Sequence, residues 1–392
     1  MLIYNPKQMT NKDFDVRARL ACPHCRGRLA EKTDGFYCSR CQAAYPADKI
    51  LDFSSSVRSD WEQLTPEQYE ELFAGYRQLS WREALERIFL KYWDQYLVDY
   101  NTSPERYVFI DEVLGKEIDL AGKDVLELGC SFGNMSRALA ARSRSLVAVD
   151  TPRQVIEWLN LVKEKERINN LSAIRLDNLD FSSLPFKDES FDVVVLGMTL
   201  QWIGTSESGE SPDVLQRRVL ADINRVLKKD GRLCFFDKNR YSYNYFLDEP
   251  DPSTLKYASI LPRWLADLYV KLMTPINRRK NKKHFRYVKE VTFAGARYRN
   301  YRHSLAQIKK MIGGAGFVDL KSFISLPGIR FQKLFIPLAD EKAGELLFAR
   351  WFSKFRRAIK GHWFVKIIFW VMLKLQLARY LADGYLIMAK KG

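Results

Sequence analysis

Residues 125–133 read Val-Leu-Glu-Leu-Gly-Cys-Ser-Phe-Gly, an apolar run holding one acid that ends in a turn of small residues. Glycines in such a turn let the backbone approach a ligand closely at the carboxyl end of a strand. Alone, this is a weak signal; its weight comes from residues further along the chain. Asp150 closes the next apolar stretch, 21 residues after Gly129, where a carboxylate can accept hydrogen bonds from ribose hydroxyls. Asp180 and Phe181 come after the third stretch within LDFSSLPF, and FDVVVLGMTLQW carries a fourth into Leu200, Gln201 and Trp202.

The alternation extends on both sides of this core. Asp124–Gly129, Leu146–Asp150, Ala173–Leu176, Asp192–Gly197 and Arg232–Asp237 read as strands, with helices at Met135–Arg142, Gln154–Lys165 and 212–228. A helix over 304–315 and strands over 317–324 and 385–390 resume the rhythm. Strands alternating with helices predict a mostly parallel sheet covered on both faces. Upstream, residues 60–115 read as helical. Thr65 can cap a helix with Pro66 at its first position and Gln68 completing a capping box. Leu72, Phe73, Tyr76, Leu79 and Trp81 come next at near-helical spacing.

A chain of 392 residues suggests two to three domains at about 150 residues each. With 47% hydrophobic and 28% charged residues, wholesale disorder is excluded. The first residues, MLIYNPKQMTNKDF, hold no uninterrupted apolar segment, which argues against a secretory signal. No stretch of 18 uncharged apolar residues predicts a spanning helix. The expected compartment is the cytoplasm, with the inner face of the membrane as a peripheral site.

The net charge of +16 is unevenly placed: residues 262–310 carry +12, residues 342–391 carry +9, and the remainder is at −5. Attraction for an anionic partner therefore resides in two C-terminal segments.

Cys22, Cys25, Cys38 and Cys41 form C-x2-C-x12-C-x2-C. Two such knuckles offer four thiolates in a tetrahedral shell, and four protein ligands leave no position for water, so the spacing predicts a structural zinc rather than a catalytic one. A reducing compartment favours metal over disulfide. His24, inside the first knuckle, reads as a bystander. The surrounding LACPHCRGRL and CSRCQAAYPADKILDF resemble the small zinc-ribbon family typified by the tRNA-methyltransferase activator subunit, over about 35 residues.

The glycine turn and the segments after it resemble the class I S-adenosylmethionine-dependent methyltransferases, over residues 120–240, 304–326 and 384–391. The style is that of the ubiquinone/biotin-biosynthesis type, with its ELGC turn, acid before LPF, LQW segment and RVLKKDGRL. The resemblance implies an α/β fold: a seven-stranded Rossmann-like methyltransferase sheet, here with an N-terminal zinc ribbon and two basic helical insertions. It implies a zinc-ribbon module at 1–56, a helical linker or lid at 57–118, and a methyltransferase domain at 119–392 with insertions at 238–303 and 327–383. It also implies S-adenosyl-L-methionine as donor. Glu127, Gly129 and Gly133 would hold its methionine end, with Cys130 and Ser131 in the turn. Asp150 would take the ribose, Asp180 and the Phe181 backbone the adenine, and Leu200, Gln201 and Trp202 would flank the sulfonium. The family usually has glycine where this chain has Ser131, whose Cβ narrows the turn. The alternatives are a dinucleotide-binding domain, which lacks support without G-x-G-x-x-G, and a non-catalytic methyltransferase-fold scaffold.

Methyl transfer needs little side-chain chemistry beyond holding the acceptor in line. His303, at the end of the first insert, is the candidate general base should the acceptor be a hydroxyl.

The first insert contains LPRWLADLYVKLMTPINRRKNKKHFRY. The second holds Leu347, Trp351, Phe355 and Ile359 at four-residue spacing beside Arg350, Lys354, Arg357 and Lys360. A basic amphipathic stretch of this kind suits the headgroup region of a membrane, a nucleic acid, or a cap over the site. The expected acceptor is a small-molecule or lipid-linked anion, such as an envelope saccharide or lipid precursor. An RNA base acceptor is the alternative, through a resemblance of the N-terminal module plus fold to the zinc-containing 23S rRNA guanine-N1 methyltransferases.

Overall fold

The computed structural model describes residues 15–54, 64–177, 183–204, 210–246, 255–280, 301–355, 367, 370–371, 374–375 and 377–392. Asp180, Phe181, Arg357, Ile359 and Lys360 lie outside these residues, as do the side chains of Arg350, Trp351, Lys354 and Phe355.

The strands are β1 (Leu29–Lys32), β2 (Gly35–Cys38), β3 (Ala44–Pro46), β4 (Leu51–Asp52), β5 (Asp124–Leu128), β6 (Ser145–Asp150), β7 (Leu171–Arg175), β8 (Phe191–Gly197), β9 (Leu227–Lys238), β10 (Phe317–Pro327), β11 (Gln332–Pro337) and β12 (Gly384–Lys391). β1–β3 form a small antiparallel sheet, and the other nine form one mixed sheet in the order β11-β10-β12-β9-β8-β5-β6-β7-β4. The run from β4 to β9 is parallel; β12, β10 and β11 are antiparallel.

The expected seven strands are all present, but two more extend the sheet. β11 falls inside the second insert and pairs with β10. β4 comes after the four cysteines and pairs with β7 through Leu51 opposite Ile174 and Asp52 opposite Arg175. The cysteine module is thereby a rim of the large sheet and not a separate appendage.

The central strands are buried along their whole length because both faces are covered. Successive side chains point to opposite faces. Leu126, Leu128, Val147, Val149, Val194 and Leu196 enter one core, while Val125, Leu146, Ala148, Val193 and Val195 enter the other. The first core is closed by helices Pro212–Val226 and Leu305–Gly314 and by Phe36, Tyr45 and Phe53 of the cysteine module. The second is closed by helices Pro66–Tyr76, Trp81–Tyr92 and Arg153–Glu166.

The helical reading of the segment before the sheet agrees with the structure. Thr65 accepts from the Gln68 backbone N–H and Gln68 accepts from the Thr65 N–H, the reciprocal pair expected there. A second such box, Ser80 with Glu83, starts the next helix. In the second insert, Leu347 lies on helix Lys342–Phe355 and is buried against the first core, so that part of the expected exposed stripe faces inward.

Candidate active site

β5 ends at Leu128 and the chain reverses through Gly129–Gly133 into helix Asn134–Ala140. The turn is fixed from several sides. Gly129 and Cys130 donate to the Val149 carbonyl at 2.8 and 3.1 Å, tying it to β6. Gly129 has φ +87°, and a Cβ there would lie 2.1 Å from Thr199 Oγ1. Ser131 has φ +47°, a left-handed conformation that favours glycine. This serine replaces the glycine usual in the resembled family, and its strain is held by a 2.6 Å hydrogen bond from its N–H to Asp150. Ser131→Gly therefore raises stability by up to about 1 kcal/mol, as urea denaturation will show.

Two indoles complete the clamp. Trp81 Nε1 and Trp158 Nε1 both donate to the Phe132 carbonyl, at 3.0 and 3.1 Å. They come from two different helices, and neither is legible as a site residue in the sequence because the partner is a backbone oxygen distant along the chain.

Beside this turn is a pocket. Its floor is Glu127, Gly129, Cys130, Ser131 and Phe132; Asp150 and Thr151 form one wall and Gly197, Met198, Thr199 and Trp202 another. The N-terminal helical segment supplies the rest: Tyr100, Asn101 and Arg106 reach into it. The segment expected as a linker or lid is thus part of the wall.

Glu127 is wholly buried, and both carboxylate oxygens lack a hydrogen-bond partner. Burial, reinforced by the charge of Asp150, pushes its pKa up to about 8, while Ser136 and Arg106 pull the other way. Also lining the pocket, Arg106 stacks 4.0 Å from the Tyr100 ring centroid, and its Nη1 is buried without a partner. An unpartnered acid and an unpartnered guanidinium nitrogen lining one pocket match the ammonium and carboxylate of an α-amino acid. The methionyl end of S-adenosylmethionine is such a group, so the residues present fit it.

Asp150 is engaged on both oxygens by backbone donors, Ser131 at 2.6 Å and Thr151 at 2.7 Å. Burial raises its pKa against those bonds. Each oxygen retains a second lone pair for a hydroxyl donor.

Of the LQW segment, Trp202 lines the pocket, whereas Leu200 and Gln201 are buried behind it. Gln201 is held by the end of the first insert. Its carbonyl accepts from the Tyr301 N–H at 3.0 Å, its Oε1 accepts from Arg302 Nε at 2.6 Å, and its N–H donates to Asp237 at 3.3 Å. Arg302, itself buried, also reaches the Tyr245 hydroxyl. Burial pushes Asp237 up to about 7 against the pull of Arg302. The sequence points to His303, but its neighbour Arg302 organises the rim.

His303 is buried, with Nε2 2.6 Å from Gln216 Oε1. Burial, then the charge of Arg263, pushes its pKa down to about 4. Gln216 also donates to the Leu200 carbonyl at 2.8 Å. His303 is not among the pocket's lining residues and braces the loop from behind.

The four cysteines converge as their spacing predicts. Their sulfurs all lie within 4.8 Å of one another, with Cys22–Cys41 and Cys25–Cys38 at 3.4 Å. Among the described residues this is the one cluster of His, Cys, Asp or Glu able to hold a metal ion. A Cβ on Gly27 would come within 3.1 Å of Cys25 Sγ and 3.3 Å of Cys38 Sγ.

Residues 126–235, which run from β5 through the glycine turn to β9, match the family model for a methyltransferase domain. Among individual proteins, the chain is similar to a demethylmenaquinone methyltransferase of Lactobacillus johnsonii, 35% identical over 124 residues covering 31% of this chain and 46% of that protein. It is also similar to one of Clavibacter sepedonicus, 29% identical over 147 residues covering 36% and 54%. The chain thus spans about half the length of the curated relatives it matches. A solved phosphoethanolamine N-methyltransferase of Haemonchus contortus aligns with a TM-score of 0.40 at 14% identity, covering 82% of this chain and 60% of that one.

Proposed function

We propose that the protein is an S-adenosylmethionine-dependent methyltransferase acting on a small-molecule or lipid-linked anionic acceptor. The observation that carries this reading is the unpartnered, buried Glu127 facing the glycine-turn pocket with Arg106. Glu127 accepts from the donor's ammonium and Arg106 takes its carboxylate. Asp150 receives the ribose hydroxyls, and Asp180 with the Phe181 backbone serves the adenine. When bound, the donor supplies a methyl group activated on a sulfonium. Gly129 and Trp202, which line the pocket, shape the space around that group, Gly133 shapes the turn that holds the methionine end, and Arg302 keeps the LQW rim in place. The chain's contribution is to hold an acceptor in line and exclude water. The relatives named for demethylmenaquinone methylation agree with a small-molecule acceptor.

The four cysteines hold one structural zinc on this reading. Four sulfur donors complete its tetrahedral coordination, which leaves no site for catalysis at the metal.

Calorimetric titration of the full chain with S-adenosylmethionine and S-adenosylhomocysteine tests the donor assignment; absence of binding overturns it in favour of a scaffold. Transfer of labelled methyl groups into fractionated cell extract tests the acceptor. Label is expected in the lipid or small-molecule fraction, and label confined to RNA overturns that class.

A further inference from the structure

Helix Arg263–Lys280 in the first insert is apolar on two sides. Ala266 and Val270 are buried in a small cluster with Leu255 and Ala258. On another side Trp264 is 70% exposed, Leu268 46% and Leu272 60%. These three recur every fourth residue, so they form one outward stripe, with Lys271 exposed beside it. Scattered surface leucines are ordinary, but an aligned stripe led by a tryptophan is a contact surface. Residues 262–280 hold five Lys/Arg against one Asp.

The second insert repeats the arrangement. Ile367, Trp370, Val371 and Lys374 are helical and exposed at one-turn spacings, Ile367 at 49% and Trp370 at 56%, and Leu375 beyond them is 62% exposed. Residues 346–382 contain eight Lys/Arg and no Asp/Glu. Among the described residues no helix is long and apolar enough to cross a membrane.

We propose that these two outward faces dock the protein onto the surface of an anionic lipid bilayer. The proposal deepens the methyltransferase reading and rests on it only for the consequence that the donor pocket is presented to a lipid-linked acceptor. Aliphatic and indole side chains enter the acyl boundary while the flanking cations meet the headgroups. A second copy of the chain is disfavoured because both segments carry excess positive charge in sequence. Nucleic acid would use the cations but leave Leu268, Leu272 and Ile367 facing water.

The test is flotation of the full chain with vesicles of equimolar phosphatidylglycerol and phosphatidylcholine, and with phosphatidylcholine alone, at low and high salt. Binding is expected to the anionic vesicles only, weakened by salt, with a blue shift of tryptophan emission. The double variant Leu268→Glu/Leu272→Glu lowers binding by at least about tenfold, and Trp370→Glu/Leu375→Glu does so separately. All four side chains are exposed, so both variants keep the wild-type melting temperature and affinity for S-adenosylhomocysteine. A wild-type protein that stays in solution at low salt, or variants that float as well as wild type, overturn the docking. Preference for added RNA over vesicles overturns it also. Donor titration on the same preparations separates the two ideas: donor binding without flotation sinks only the docking, and flotation without donor binding sinks only the methyltransferase reading.

Discussion

Glu127→Gln weakens donor binding by about two orders of magnitude and at the same time stabilises the free protein above neutral pH. The carboxylate lies in a wholly buried position with both oxygens unpartnered, and burial holds its pKa at about 8 against an ordinary 4.5. In the folded state it keeps its proton where the unfolded chain has lost it. Its contribution to stability is therefore full below about pH 4.5, declines as pH rises through that window, and levels off above about 8. Glutamine, neutral throughout, removes that decline, a gain on the order of a few kcal/mol at pH 8 that denaturation at pH 5 and pH 8 will measure. Binding has the opposite requirement. The donor's ammonium needs a carboxylate, so affinity of the wild type rises with pH towards 8 and binding near pH 7 releases a proton. The amide loses a charge-assisted hydrogen bond, and affinity falls by about two orders of magnitude, about 3 kcal/mol. Calorimetry in buffers of different ionisation enthalpy reads the proton directly. Unchanged affinity in the variant would remove Glu127 from the donor site.

Cys38→Ser is expected to abolish zinc binding and to weaken the whole first core, not only the small sheet. Wild-type protein is expected to hold one zinc per chain by elemental analysis, and the variant none. Small four-cysteine modules owe most of their folding free energy to the ion. Here Phe36, Tyr45 and Phe53 of the module pack into the core that also receives side chains of β5, β6 and β8. Losing them costs several kcal/mol and lowers the melting temperature by on the order of ten degrees. The first knuckle also touches the segment after β7. Ser183 donates to the Pro23 carbonyl, Arg26 pairs with Asp222 at 3.1 Å, and Asp222 accepts from the Leu184 N–H at 2.6 Å. On the proposal that Asp180 and the Phe181 backbone serve the adenine, donor affinity is expected to fall severalfold as well. A zinc-free wild type with the same melting temperature would sink the assignment.

The parts of the fold visible in the sequence are those encoded locally. The apolar runs of β5 and β8, the glycines at 129 and 133 and the Thr65–Gln68 box carry their signal within a few residues, and the structure bears out their local form. The parts that local pattern does not encode depend on meetings between distant segments. β4 is two residues long and is a strand only because β7 offers it an edge. Tyr100 and Arg106 sit on a helix and turn with no motif of their own, and become pocket residues through packing. Trp81 and Trp158 carry no motif, and their N–H groups acquire a role only through one shared carbonyl. In the basic inserts, helical periodicity identifies stripes but does not say which way each faces: Leu347 turns inward while Trp264 turns out.

The pairing of β4 with β7 has a consequence for how this protein could be divided or evolve. An open rim of a parallel sheet invites another chain to add to it. Leu51 and Asp52 occupy part of that rim, and the Asp52–Arg175 bridge at 2.9 Å, buried on both sides, fastens them. Excising residues 1–56 would strip this guard and bare apolar surface under Phe36 and Phe53, so the remainder should self-associate rather than persist as a shorter enzyme. The four-cysteine piece is better regarded as a sheet terminator than as an accessory that could be exchanged between proteins.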